Sequence, residues 1–163
     1  MKEKKPDLVF LMETKLQACR IEIVPRCIGF GNVFVVDNIG KSGSLAFFWN
    51  SEVNVEIQNY SRRHINALVR TNCTGYHWKF TGFYGHPEAA KRKDLWALLR
   101  HLGILEPLAW LSMGDYNETI EDAEKVGSSL KPRGQMAAFR ETLECRLVDL
   151  GFNGPRFTWN NNG

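Results

Sequence analysis

No hydrophobic run in this chain approaches the roughly 18 to 20 residues that span a bilayer, which excludes a membrane-spanning helix. A secretory leader is not expected either. Met1 to Asp7 is charged, and the apolar run from Leu8 to Met12 is too short for a signal peptide. Cysteine is sparse and has no metal-ligand spacing. Cys19, Cys27, Cys73 and Cys145 form no CxxC pair, so neither a zinc site nor a disulfide frame is expected. They read as reduced, partly buried thiols of an intracellular protein. Internal repeats, low-complexity tracts and linkers are absent. Gly40-Lys41-Ser42 lacks the preceding glycine frame of a P-loop and has no helix pattern after it, which leaves a turn. Charge of one sign does not dominate: a net charge of +3 permits a polyanionic partner without demanding one.

What remains is one domain's worth of ordinary globular sequence. The chain has 163 residues, of which 44% are hydrophobic and 24% charged, enough for a sizeable core. Its organising stretch is Ser112-Met113-Gly114-Asp115-Tyr116-Asn117-Glu118. Leu108 to Leu111 before it has the composition of a buried strand. In extended chain, residues two apart share a face at roughly 6 to 7 Å, so Asp115 and Asn117 can address one target together. A carboxylate beside a carboxamide suits a hard cation or a phosphate. The same residues also suit a plain turn after a strand.

Read in order, the chain alternates strands with two helices. The apolar run 8–12 reads as a strand covered on both faces, delivering Glu13 at its end. Glu13 could equally open a short helix over 14–24. Strands follow at 33–36, 45–49, 53–57, 64–70 and 77–84, on connections short enough for a largely antiparallel meander. In the last of these, Trp78, Phe80, Gly82 and Tyr84 share one face. The Tyr84 phenol can bond a phosphate oxygen, hold a carboxylate, or simply sit at a sheet rim. His86, before Pro87, reads as an exposed turn residue. A helix over 91–102 carries the stripe Leu95, Leu98, Leu99 and Leu102. Its opening cations, Lys91-Arg92-Lys93, oppose the helix dipole and are expected to be solvated. A polar loop over 118–132 precedes a helix over 134–147, with Met136, Phe139, Leu143 and Leu147 on one side. Asp149 reads as a structural turn residue, and 157–159 begins a strand. The pattern is that of an α+β domain, antiparallel strands with helices outside.

Taken together, the strings resemble the endonuclease/exonuclease/phosphatase superfamily, whose fold is that of DNase I. They are most like the endonuclease domain of plant LINE-type (non-LTR) retrotransposons. The resemblance rests on Met12-Glu13-Thr14-Lys15, His64-Ile65, Gly82-Phe83-Tyr84-Gly85-His86-Pro87 and Gly114-Asp115-Tyr116-Asn117-Glu118. Glu124-Lys125, Phe139-Arg140, Asp149-Leu150-Gly151-Phe152 and Phe157-Thr158-Trp159 extend it through nearly the whole chain. It implies a DNase I-like α/β sandwich of two mostly antiparallel sheets flanked by helices. It also implies hydrolysis of a phosphodiester by water with Mg²⁺ or Mn²⁺, on DNA. Glu13 then looks like the metal-binding glutamate and Asp115 like the carboxylate that orients or deprotonates water. Asn117 looks like the amide holding the scissile phosphate, Tyr84 like the phenol lining the phosphate site, and Trp159 like an aromatic near the nucleic-acid groove. A downstream reverse transcriptase in a parent polyprotein and a nuclear location belong to the same implication.

The departures from that family are as specific. Its first strand carries an asparagine, and it ends on an aspartate and a closing Ser-Asp-His; none of these occurs here. His64, His77, His86 and His101 do not sit in the closing histidine's setting. The expectation is one partial domain over 1–163, truncated at both ends, with little or no turnover by itself. The other readings are a non-catalytic retroelement remnant and, more weakly, a small-molecule phosphatase of the same superfamily.

Overall fold

A computed structural model describes residues 6–14, 21, 23–37, 43–72, 75–124, 131–144 and 146–151. The chain divides into two compact units, Met1–Tyr84 with Leu108–Asp115, and Gly85–Pro107 with Tyr116–Gly163. Trp159 and the expected strand around it lie outside the described residues, as do Cys19, Cys73, Cys145 and the Gly40-Lys41-Ser42 string. Cys27 is exposed, against the expectation of partial burial.

The first unit holds two sheets. Strands β1 (Leu8–Thr14), β2 (Asn32–Val36) and β3 (Ser44–Trp49) form one, in the order β1-β3-β2, all antiparallel. Strands β4 (Val53–Ser61), β5 (His64–Thr71), β6 (His77–Tyr84) and β7 (Ala109–Asp115) form the other, in that order, with β6 and β7 parallel. The expected meander therefore divides at Asn50, where β3 completes one sheet and β4 opens the next. The strand covered on both faces is β3, buried from Ser44 to Phe48, because Leu45 and Phe47 pack on one side and Ala46 and Phe48 on the other. Among the described strands β1 is an edge, with Leu11 38% exposed, and it continues through Thr14 where a helix was one reading. β7 is also an edge, and Met113 is exposed, so the buried strand expected there is half-covered. A short helix α1 (Val24–Ile28) follows β1.

The core between the sheets follows from alternation. Phe10, Leu45 and Phe47 from one sheet meet Ile65, Ala67, Val69, Phe80 and Tyr84 from the other. The rings of Phe47 and Phe80 stack at 4.4 Å between centroids, and Phe10 meets Phe80 edge-on at 6.0 Å. Burying each such ring contributes about 1.5–3 kcal/mol. Trp78, Phe80, Gly82 and Tyr84 do share this face, with Phe10 lying against Gly82. On the other face of β3, Ala46 and Phe48 pack with Ile21 and Phe30.

The β4–β5 turn is held by a buried histidine. His64 donates from Nε2 to Asn59 Oδ1 at 2.8 Å, and its Nδ1 accepts from the Ser61 hydroxyl at 2.8 Å. Burial lowers its pKa from 6.5 to about 4, because the site fits the neutral ring and desolvates the cation.

The second unit is built on helices α2 (Arg92–Leu105) and α3 (Arg133–Glu144). Trp96, Tyr116 and Phe139 form its aromatic centre, with Trp96 and Phe139 at 4.7 Å. The leucine stripe is only partly the buried face: Leu99 and Leu102 are buried, but Arg92 and Trp96 replace Leu95 and Leu98 there. Arg92 thus corrects the solvated-cation expectation. Its guanidinium donates to the carbonyls of His86 at 2.7 Å and Pro87 at 2.5 Å, and to Glu118 Oε2 at 2.7 Å. Lys131 donates to Glu118 Oε1 at 2.8 Å and to the Asn117 carbonyl at 3.3 Å. The Glu118 side chain is 1% exposed. Burial alone would raise its pKa, but hydrogen bonds from Lys131 and Arg92 outweigh that and hold it below the usual value. Asp149 accepts from the Gly151 amide at 2.9 Å, as a turn residue does.

Two expectations follow for stability. Removing Arg92 leaves the buried Glu118 carboxylate with Lys131 as its remaining cation and takes the donors from two loop carbonyls, so Arg92→Ala lowers the urea unfolding free energy at pH 7 by about 2–4 kcal/mol; a loss below about 1 kcal/mol contradicts the buried pairing. Glu118 contributes stability above the ordinary carboxylate pKa, lost as pH falls through its depressed value. The His64 contribution is full above pH 6.5 and is lost as pH falls toward about 4, at most about 3 kcal/mol. Urea midpoints between pH 7 and 4 should fall in the wild type and fall less in His64→Gln, whose amide does not titrate. Equal slopes in the two proteins would remove His64 from the account.

Candidate active site

Three strand ends in the first unit carry the polar residues singled out from the sequence. Glu13 is at the end of β1, Tyr84 at the end of β6, and Asp115 at the end of β7. The Tyr84 hydroxyl donates to Glu13 Oε1, joining the two sheets. Tyr84 and Asp115 are register partners on adjacent parallel strands, which places their backbones about 4.8 Å apart. The Asp115 amide donates to the sulfur of Met12, the residue before Glu13, at 3.2 Å. The three strand ends are therefore close together, with the Tyr84 and Glu13 side chains bonded to each other.

Local backbone features aim each of them. Leu11 pairs Ala46 but Thr14 pairs Ser44, so β1 gains one residue on β3 between them. Such a bulge turns a side chain out of its alternation. Glu13, inside it, takes a φ of +54°, a conformation that costs a non-glycine residue on the order of 1 kcal/mol. A side chain at Gly43 would collide with the Glu13 backbone, so the lead into β3 passes there only as glycine. Gly114 has a φ of +146°, and a Cβ would run into the Phe83 carbonyl. That residue lets β7 close onto β6 just before Asp115. Glu13 and Asp115 are exposed, whereas Tyr84 is 4% exposed. Of the three uses open to this phenol, the structure shows it holding a carboxylate.

Asn117 is arranged differently. It belongs to the second unit, with a φ of +54°, and its Nδ2 donates to the Gly85 carbonyl at 2.8 Å. β7 ends at Asp115, so the extended geometry assumed for the Asp115–Asn117 pair stops short of Asn117. His86 accepts the Glu88 amide at 3.0 Å, the role of a loop residue.

Sequence reasoning missed Arg63. Its guanidinium carbon lies 4.9 Å from the centroid of the Tyr84 ring, and its carbonyl accepts the Tyr84 amide at 2.7 Å. The missed signal was the length of β4. Alternation continues past Ile57 to Ser61, leaving Arg62-Arg63 as a two-residue turn, but a register shift between Ile57 and Asn59 interrupts it.

Among the described residues no three of His, Cys, Asp and Glu cluster as a metal cage. Mg²⁺ does not need one, since it keeps several waters and binds through one or two carboxylates. The exposed Glu13 carboxylate, with Oε1 fixed by Tyr84, fits that mode.

No protein-family model matches the chain, and no curated protein matches it. Among solved structures it is similar to D. rerio TDP2 complexed with single-strand DNA product, at 20% identity and a TM-score of 0.50, over 70% of this chain and 49% of that one. It is also similar to the human Nocturnin catalytic domain with bound sulfate anion, at 14% identity and a TM-score of 0.49, over 69% and 52%. For truncated C. elegans TDP2 the values are 18%, 0.47, 79% and 54%. The chain spans about half the length of these proteins. At such identities the likeness to D. rerio TDP2 shows the fold, the two-sheet DNase I-like α+β sandwich.

Proposed function

We propose that this chain is part of a Mg²⁺-dependent phosphodiester hydrolase, an endonuclease of the retrotransposon type that nicks DNA. The observation that carries the reading is the convergence of Glu13, Tyr84 and Asp115 at three strand ends of one unit. The DNase I-like fold supports it, and so does a similar structure that contains single-stranded DNA. The retrotransposon assignment, with a reverse transcriptase downstream, rests on the LINE-type strings at 12–15, 82–87 and 114–118.

Phosphoryl transfer requires in-line positioning and neutralisation of charge more than covalent chemistry. Glu13 is the residue that would hold Mg²⁺ or Mn²⁺, which when bound supplies Lewis-acid neutralisation of the phosphate oxygens. Tyr84 restrains the Glu13 carboxylate and keeps its rotamer fixed. Asp115 takes the proton of the attacking water as the new P–O bond forms and the ester P–O bond breaks. Asn117, by its place two residues beyond Asp115, is proposed to donate to a phosphate oxygen. Trp159 is proposed to stack in the nucleic-acid groove.

The test is conversion of supercoiled plasmid to open circles at high protein concentration and long incubation, where even the low turnover expected of this chain is read. Nicking should need Mg²⁺ and stop in EDTA. Asp115→Asn should slow it by about 10²–10⁴-fold, the usual worth of a positioned base. Tyr84→Phe should raise the Mg²⁺ concentration for half-maximal rate, because Glu13 loses its anchor. Undiminished nicking by Asp115→Asn or in EDTA overturns the mechanism. DNA binding with no nicking at any Mg²⁺ concentration favours the non-catalytic remnant.

A further inference from the structure

Several of the described arginines have their guanidinium engaged within the chain. Arg92 uses its guanidinium on Glu118 and two carbonyls, Arg100 donates to Thr142, and Arg140 donates to the Ile120 carbonyl. Arg63 differs. It is half-buried, and its guanidinium has no hydrogen-bond or carboxylate partner among the described residues. Its guanidinium carbon lies over the face of the Tyr84 ring.

The turn that carries it is held firmly. The Arg63 amide donates to Ser61 Oγ at 3.1 Å, and the same hydroxyl bonds His64 Nδ1. The Arg63 carbonyl accepts from the Tyr84 amide, which closes the turn onto the end of β6. A guanidinium presents a rigid fork of donors matched to two oxygens of a phosphate. Stacking on an aromatic face limits its rotation while leaving the in-plane N–H groups directed outward. The ring beneath is the one whose hydroxyl holds Glu13. One tyrosine thus lies between the Arg63 guanidinium and the carboxylate of the candidate site.

We infer that Arg63 binds a backbone phosphate of the nucleic acid, positioning the strand over the Tyr84–Glu13 pair. The inference rests on the nucleic-acid reading of that site and deepens it. A phosphate contact of this kind orients the strand without reading its bases, so it should strengthen binding to every sequence alike.

The test is fluorescence anisotropy of a labelled 20-base-pair duplex, about two helical turns, titrated with the full chain in EDTA at several NaCl concentrations. Each neutralised phosphate contributes about 0.9 to the slope of log K against log salt. Arg63→Gln should weaken binding about 5- to 10-fold at low salt and reduce the slope by about 0.9. Arg70→Gln, which removes an exposed charge paired with Glu56, should leave the slope unchanged. Arg63→Lys keeps the charge and should keep the slope, within about 3-fold of wild-type affinity. An unchanged slope in Arg63→Gln overturns the Arg63 inference alone. A lysine variant that loses as much as glutamine marks a packing role and overturns it too. A wild-type chain with no salt-dependent binding removes the nucleic-acid reading itself, and Arg63 with it.

Discussion

The hydrogen bond from Tyr84 to Glu13 is the constraint on which the first unit's polar end depends. It spans the two sheets at the rim of a core made by Phe10, Phe47 and Phe80. The phenol is buried and the carboxylate is exposed, so the pair anchors a charged group without burying its charge. That division is what a hard cation requires: a carboxylate fixed in direction yet open to water. Stacked aromatics below it resist any slide of one sheet over the other, because close-packed rings lose contact steeply with displacement.

Backbone irregularities then do the aiming. A bulge and a left-handed residue turn Glu13 out of the alternation of β1. At the same end of the sheet pair, a glycine lets β7 approach the Phe83 carbonyl before Asp115. Irregular backbone of this kind persists only where the surrounding packing over-determines it, and it concentrates at functional sites. The second unit follows the same economy with different means. A buried carboxylate, Glu118, is saturated by Arg92, Lys131 and the Thr119 amide, and it fixes the segment that begins with Tyr116 and Asn117.

Most strands were legible because alternation and apolar runs are local signals. The strand-end positions of Glu13, Tyr84 and Asp115 were legible because each closes an apolar run with a polar group. What was not legible was partnership. Edge and centre cannot be told apart from one strand's composition, so β1 and β7 read as more covered than they are. Arg92 read as solvated since its partners, Glu118 and two loop carbonyls, are assembled by tertiary structure. Arg63 stayed unseen because the register shift in β4 hid the two-residue turn. Asn117 was misjudged in geometry, since a left-handed φ after the strand end leaves no signature in an Asp-Tyr-Asn string.

The central claim is that the Glu13 carboxylate, held by Tyr84, receives a divalent cation beside Asp115. Paramagnetic broadening by Mn²⁺ reports position directly. At substoichiometric Mn²⁺ the backbone amide signals of Glu13, Tyr84 and Asp115 should broaden before all others, and Glu13→Gln should abolish the effect. Broadening that begins instead at the exposed carboxylates Glu121, Asp122 and Glu124, or that survives Glu13→Gln, would contradict the claim.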